Sequence, residues 1–117
     1  MKRTFYIAGV QFRPKEEIKK AMKEIKADFR LVLIPEPTNK FDPNAVKILY
    51  ITDDLKDFFL GYVPKKFSAE VSGLLEAGIE LYCIVKTVNP LGKPWEMCEV
   101  VIQDVDESNL DGIPEEK

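Results

Sequence analysis

With 117 residues, 45% of them hydrophobic and 32% charged, the chain has the size and composition of one globular domain, which excludes intrinsic disorder. The absence of histidine excludes Ser-His-Asp and Cys-His catalysis together with every histidine-bearing metal site. The net charge of −3 argues against nucleic acid only until its distribution is read: residues 1–103 carry 16 basic and 14 acidic side chains, whereas residues 104–117 carry one basic and six acidic.

In chain order, Lys2–Val10 is aromatic and β-branched and predicts a first strand. Gly9 near its end marks a bulge or the close approach of another backbone. Pro14 opens a helix over residues 14–27, with Glu16 and Glu17 in the first turn, where the helix dipole favours acids. Ile18, Ala21, Met22 and Ile25 recur at helical spacing as its buried stripe, and Lys19, Lys20, Lys23 and Lys26 form its solvated face. Phe29–Ile34 is an unbroken apolar run of strand length, expected to be covered on both faces. A polar turn follows, then a strand over Ala45–Ile51, a polar tip over Thr52–Lys56, and a strand over Phe58–Val63 with Gly61 inside it.

Pro64 starts a second helix over residues 65–77, with Phe67, Val71, Leu74 and Leu75 on one face and Gly78 to stop it. Ile79–Val88 is a long strand, Pro90–Pro94 a turn, and Trp95–Val105 the returning partner. Trp95, the sole tryptophan, is expected to close one end of the core. Cys83 and Cys98 lie in apolar strands without CxxC spacing and read as buried thiols in a reducing compartment, not as metal ligands.

The order is β-α-β-β-β-α-β-β, without repeats. Strands that return by tight turns build an antiparallel sheet, and six short ones close into a small barrel because closure removes exposed edges. The expected fold is therefore mainly β with two short helices, a partly open six-stranded barrel. An open α+β sandwich is the alternative. Residues 1–106 are expected to form the domain and residues 107–117 an acidic, mobile tail. No apolar run is long enough to span a bilayer and no h-region follows Met1, so a soluble, cytoplasmic protein without cofactor or metal is expected.

The turn Glu36-Pro-Thr-Asn-Lys-Phe-Asp-Pro-Asn-Ala45 holds more turn-forming residues than a hairpin requires. Asn39, Asp42 and Asn44 can bond nearby backbone amides, and Pro37 and Pro43 push Glu36 and Asp42 towards extended conformations. This chemistry explains the polar residues but not Phe41. An aromatic at a polar tip either folds back onto the core or offers a stacking surface.

Two blocks carry a resemblance: Glu36-Pro37, Asn39, Phe41-Asp42 and Asn44-Ala45-Val46, then Gly61-Tyr62-Val63-Pro64 and Gly78. Between Thr4 and Val88 the chain resembles the HIRAN domain. The resemblance implies an OB-like barrel of six strands and two helices. It also implies capture of the 3′ end of single-stranded DNA, as in the N-terminal modules of helicase-like DNA-remodelling ATPases. The family's aromatic-Asp pair lies in that site with the carboxylate near the terminal hydroxyl, a role that falls on Phe41 and Asp42. Phe12 keeps the aromatic found after the first strand. Gln11 departs from the basic residue beside it, which loses a charge-assisted phosphate contact that Arg13 or Lys15 could replace. Tyr62 and Lys65 match further contact positions, and Lys40 and Lys66 lie beside them.

The resulting reading is a binding module and not an enzyme, since no nucleophile stands beside a candidate base. Single-stranded DNA is the expected partner, in repair, replication or processing, with a DNA-processing protein acting in trans. The alternative is a protein-interaction module that kept the fold, favoured by Gln11 and the acidic tail. A basic surround at Phe41 would favour nucleic acid and an apolar one protein.

Overall fold

The computed structural model describes residues 1–104, so the acidic segment of residues 107–117 lies outside the described residues. The elements are β1 (Lys2–Tyr6), a 3₁₀ turn (Val10–Phe12), α1 (Lys15–Glu24), β2 (Arg30–Pro35), β3 (Val46–Ile51), β4 (Asp57–Tyr62), α2 (Lys65–Glu76), β5 (Tyr82–Val88), a second 3₁₀ turn (Pro94–Glu96) and β6 (Cys98–Gln103). The six strands form one antiparallel sheet in the order β1-β6-β5-β2-β3-β4. The expected mainly-β architecture with two short helices is what the chain adopts, as a curled half-barrel.

The sheet is joined across its open side at one point. Ala8 N–H donates to the Tyr62 carbonyl at 2.9 Å, and Tyr62 N–H donates to the Ala8 carbonyl at 2.8 Å. Chain economy explains the place: the chain leaves β1 at Tyr6 on its way to α1, and Ala8, two residues on, is where it passes β4. Gly61 lets the two backbones touch, because a Cβ there would stand 2.3 Å from the Ala8 carbonyl oxygen and 2.8 Å from Ile7 Cγ2. Farther along this seam the Arg13 Nε donates to the Phe59 carbonyl at 3.3 Å, supplying by side chain a bond that a paired strand would supply by backbone.

The interior is filled by Val46, Ile48, Leu60, Val100 and Ile102 from the strands, Ile7 just past β1, Met22 from α1 and Val71 from α2. The α1 stripe of Ile18, Ala21, Met22 and Ile25 is buried as its spacing predicts, and Val71 anchors α2 with Phe67, Leu74 and Leu75 packed against the core.

Four expectations need correction. The first strand ends at Tyr6 because Gly9, with φ of 76°, turns the chain into the 3₁₀ turn; Gly9 is neither strand nor bulge. The run at Phe29–Ile34 is not covered on both faces: Ile34 is exposed, since β2 pairs with β5 only at Arg30 and Leu31 before leaving it for β3. Ile79–Leu81 precedes β5 instead of starting it. Trp95 lies in the second 3₁₀ turn and not in the last strand, and at 54% exposure it does not close the barrel.

Cys83 and Cys98 are free and buried. Burial raises both thiols, the latter to about 12. Thiolates are the reactive form, so neither cysteine should be alkylated by iodoacetamide at neutral pH until the protein unfolds. Rapid labelling of the native protein would contradict this burial.

Candidate nucleic-acid interface

The turn between β2 and β3 is held by its own side chains. Asn39 Oδ1 accepts the amides of Phe41 at 2.8 Å and Asp42 at 3.0 Å, while Asn39 Nδ2 donates to Glu36 Oε1 at 2.8 Å. Asp42 Oδ1 accepts the Asn44 amide at 2.9 Å. This is the local turn chemistry of asparagine and aspartate, repeated within one short segment. Its result is that the tip cannot fold back, and Phe41 stands 87% exposed.

Two further bonds fasten the turn to the rest of the fold. Tyr62, at the end of β4, donates its hydroxyl to Glu36 Oε1 at 2.8 Å, and Lys47 Nζ lies 3.7 Å from Glu36 Oε2. Ser68, buried in the first turns of α2, donates to Asp42 Oδ2 at 2.7 Å. The electrostatics follow from these partners. The Asn39 and Tyr62 hydrogen bonds, with Lys47, hold Glu36 below the usual carboxylate range. The Ser68 and Asn44 hydrogen bonds, with the Lys65 charge, do the same for Asp42. Tyr62 moves the other way, because burial and the Glu36 carboxylate disfavour its phenolate.

The eight residues singled out in the sequence fall in two groups. Phe41, Asp42, Tyr62 and Lys65 lie together where the turn, β4 and α2 meet, with Lys40 exposed beside Phe41. Gln11 and Phe12 lie in the first 3₁₀ turn, and Phe12 is 81% exposed. That turn reaches Tyr62 through the Ala8–Tyr62 bridge, and Gly9 faces the Tyr62 ring, to which a Cβ would come within 3.7 Å. Lys66 stands apart: its ammonium lies 5.0 Å over the Phe67 ring, on the side of α2 that faces Phe5.

Sequence reasoning misses three supports. Ser68 orients Asp42, and its only signal is a hydroxyl four residues after a helix-starting proline. Phe59 packs edge-on against Tyr62 at 5.3 Å, with the Arg13 guanidinium 3.9 Å above its ring. Its signal is the alternation along β4, which points Phe59 away from the neighbouring core residues Phe58 and Leu60. Trp95 is exposed in a turn that packs against the one carrying Phe12, with Lys93 Nζ 5.7 Å from its ring.

Among known proteins, the HIRAN domain family model matches residues 3–103. Of the solved structures, the chain is similar to a protein from Lactobacillus plantarum, with a TM-score of 0.68 and 20% identity over 85% of this chain and 87% of that one. It is also similar to the HIRAN domain of human HLTF, with a TM-score of 0.57 and 11% identity over 86% of this chain and 70% of that one. These two likenesses speak for the fold. No curated protein matches the sequence. The family match runs from the first strand to the last and takes in the turn, the Ala8–Tyr62 seam and both helices: the chain belongs to the HIRAN domain family.

Proposed function

We propose that this HIRAN domain binds nucleic acid and captures the 3′ end of single-stranded DNA, with its last nucleotides against Phe41 and Phe12 and its terminal hydroxyl at Asp42. The observation that carries the reading is the pair of aromatics left almost wholly in solvent, 87% and 81% exposed, on either side of the Tyr62 seam. Burying such rings against bases contributes roughly 1–3 kcal/mol per stack and needs no particular base. The surround of Phe41 supports nucleic acid over protein: Lys40 and Lys65 are exposed near it, and the nearby Glu36 is already paired with Lys47.

Asp42 suits a strand end. Two of its roughly four acceptor positions are taken by Ser68 and Asn44, which leaves room for a hydroxyl donor. Both turn carboxylates are stabilised as anions, which keeps them as hydrogen-bond acceptors near neutral pH and suits a binding role. Delivery of the bound end to a DNA-processing protein in trans fits such a module.

The experiment is a titration with short oligonucleotides that differ only in a 3′-hydroxyl or a 3′-phosphate. The hydroxyl end is expected to bind about tenfold more tightly, because a carboxylate accepts a bond from a hydroxyl and repels a phosphate at close range. Trp95 fluorescence provides an intrinsic signal. Equal affinity for both ends, or no binding at micromolar protein, would leave the protein-interaction reading in its place.

A further inference from the structure

A cavity of about 300 Å³ lies between the Val10–Phe12 turn, the start of α1 and the β5–β6 connection. Its apolar lining includes Val10, Ile18, Pro94 and Met97, and its charged lining is Arg13, Lys15 and Lys19 against the carboxylate of Glu16. Gln11 also lines it, so it adjoins the turn that carries Phe12. Within α1, Lys15, Lys19 and Lys23 are spaced four residues apart and form one row, each step rising about 6 Å. All three are exposed, and among the described residues none makes an ion pair. Glu17 and Glu24 lie off the row. Arg13 is fixed over Phe59 with one of its five donors spent on the Phe59 carbonyl, so a preset cation stands at the head of the row.

We propose that a strand held by its 3′ end at the Phe12–Phe41 seam continues through this cavity and along α1. Sugar and base faces would rest on the apolar lining and phosphates on Arg13, Lys15, Lys19 and Lys23. The inference rests on the end-capture reading and adds to it a direction and a longer site. It gives Lys19 and Lys23, read from sequence as part of a solvated face, a share with Arg13 and Lys15 in the task left by the neutral Gln11: the phosphate charge is met along the row. A lining that alternates apolar surface with unpaired cations suits an unstacked single strand, whereas an acidic peptide would use the cations and leave the apolar lining idle.

The test compares the wild-type protein with a Lys19→Gln, Lys23→Gln variant, which leaves Lys15 beside the end site untouched. Glutamine keeps the helix propensity, and circular dichroism checks the fold. Each protein is titrated with a thymidine trinucleotide and a dodecanucleotide, both ending in a 3′-hydroxyl, across about 50–200 mM salt, where single-strand binding loses about 0.7 of log–log slope per phosphate contact removed. The trinucleotide should bind both proteins alike. The dodecanucleotide should bind the wild type more tightly than the trinucleotide does, and its salt slope should fall by about 1.4 in the variant. The same slope in both proteins, a dodecanucleotide that gains nothing over the trinucleotide, or displacement by polyglutamate as effective as by oligonucleotide would overturn the path. Failure of end capture shows separately, as equal trinucleotide binding with a 3′-hydroxyl or a 3′-phosphate.

Discussion

Gly61→Ala is expected to destabilise the protein by about 3–5 kcal/mol, combining overpacking at roughly 1–3 kcal/mol with the loss of two closure hydrogen bonds at about 1 kcal/mol each. The added methyl would meet backbone, the Ala8 carbonyl oxygen at 2.3 Å, and backbone cannot rotate aside as a side chain can. The Ala8–Tyr62 pair of bonds must then open, and the half-barrel loses its joint. For a domain near this size the melting temperature should fall by on the order of 10 °C or more. Gly73→Ala is the control. It lies in α2 with no neighbouring atom within 4 Å of the place a methyl would take, so the same substitution should stabilise the protein slightly, by about 0.5–1 kcal/mol. Equal thermal shifts for the two variants would show that the seam does not matter to the fold. Gly61→Ala should also weaken oligonucleotide binding, because the seam is what brings the Phe12 turn to Tyr62.

The fold is legible wherever one periodicity dominates. Ile18, Ala21, Met22 and Ile25 can only face a core from a helix, and the strand-length runs between turn residues can only return antiparallel. Legibility fails where tertiary partners decide the outcome. Ile34 reads as core in any apolar run, yet it is exposed because β2 changes partner beside it. Trp95 reads as a barrel lid, yet the 3₁₀ turn that Pro94 starts carries it outward. The seam itself is half visible: Gly9 and Gly61 both stand out, but the close approach belongs to Gly61, and sequence cannot say which backbone will arrive.

The site is legible in its residue types and not in its wiring. Phe41 stands out because turn chemistry leaves it without a task, and its exposure keeps that question pointed at a ligand. Tyr62 reads as a contact residue, and the structure gives its hydroxyl a structural duty towards Glu36. Ser68 and Phe59 carry little local signal, since their importance comes from contacts 26 and 46 residues away. Arg13 is the sharpest case: its bond to the Phe59 carbonyl and its stacking on the same ring depend on β4 lying beside the first turn, which only the closed seam produces.

Phe41→Ala is expected to weaken single strands by one lost stack, roughly 1–3 kcal/mol, or about fivefold to 150-fold, with little change in stability because the ring touches so little of the protein. Asp42→Asn should act differently. It keeps an acceptor for the Asn44 amide and removes the charge, so the 3′-hydroxyl over 3′-phosphate preference should shrink by most of its value while total affinity changes less. The two variants thus separate stacking from end reading. The pH dependence carries an independent sign. The folded protein holds Asp42 below the usual carboxylate range, so its stabilising bonds are present above that range and are lost only as pH falls through the lowered value. Between about pH 5 and 8 the residue stays ionised, and 3′-hydroxyl binding should be flat in that window. The 3′-phosphate is the group that titrates: its second proton binds near pH 6, so its repulsion from Asp42 should ease as pH falls from about 7.5 to 5.5. The end preference should therefore narrow on acidification through gain of phosphate binding and not through loss of hydroxyl binding. A wild-type preference that narrows because the hydroxyl strand lets go, or that survives intact in Asp42→Asn, would remove Asp42 from the strand end.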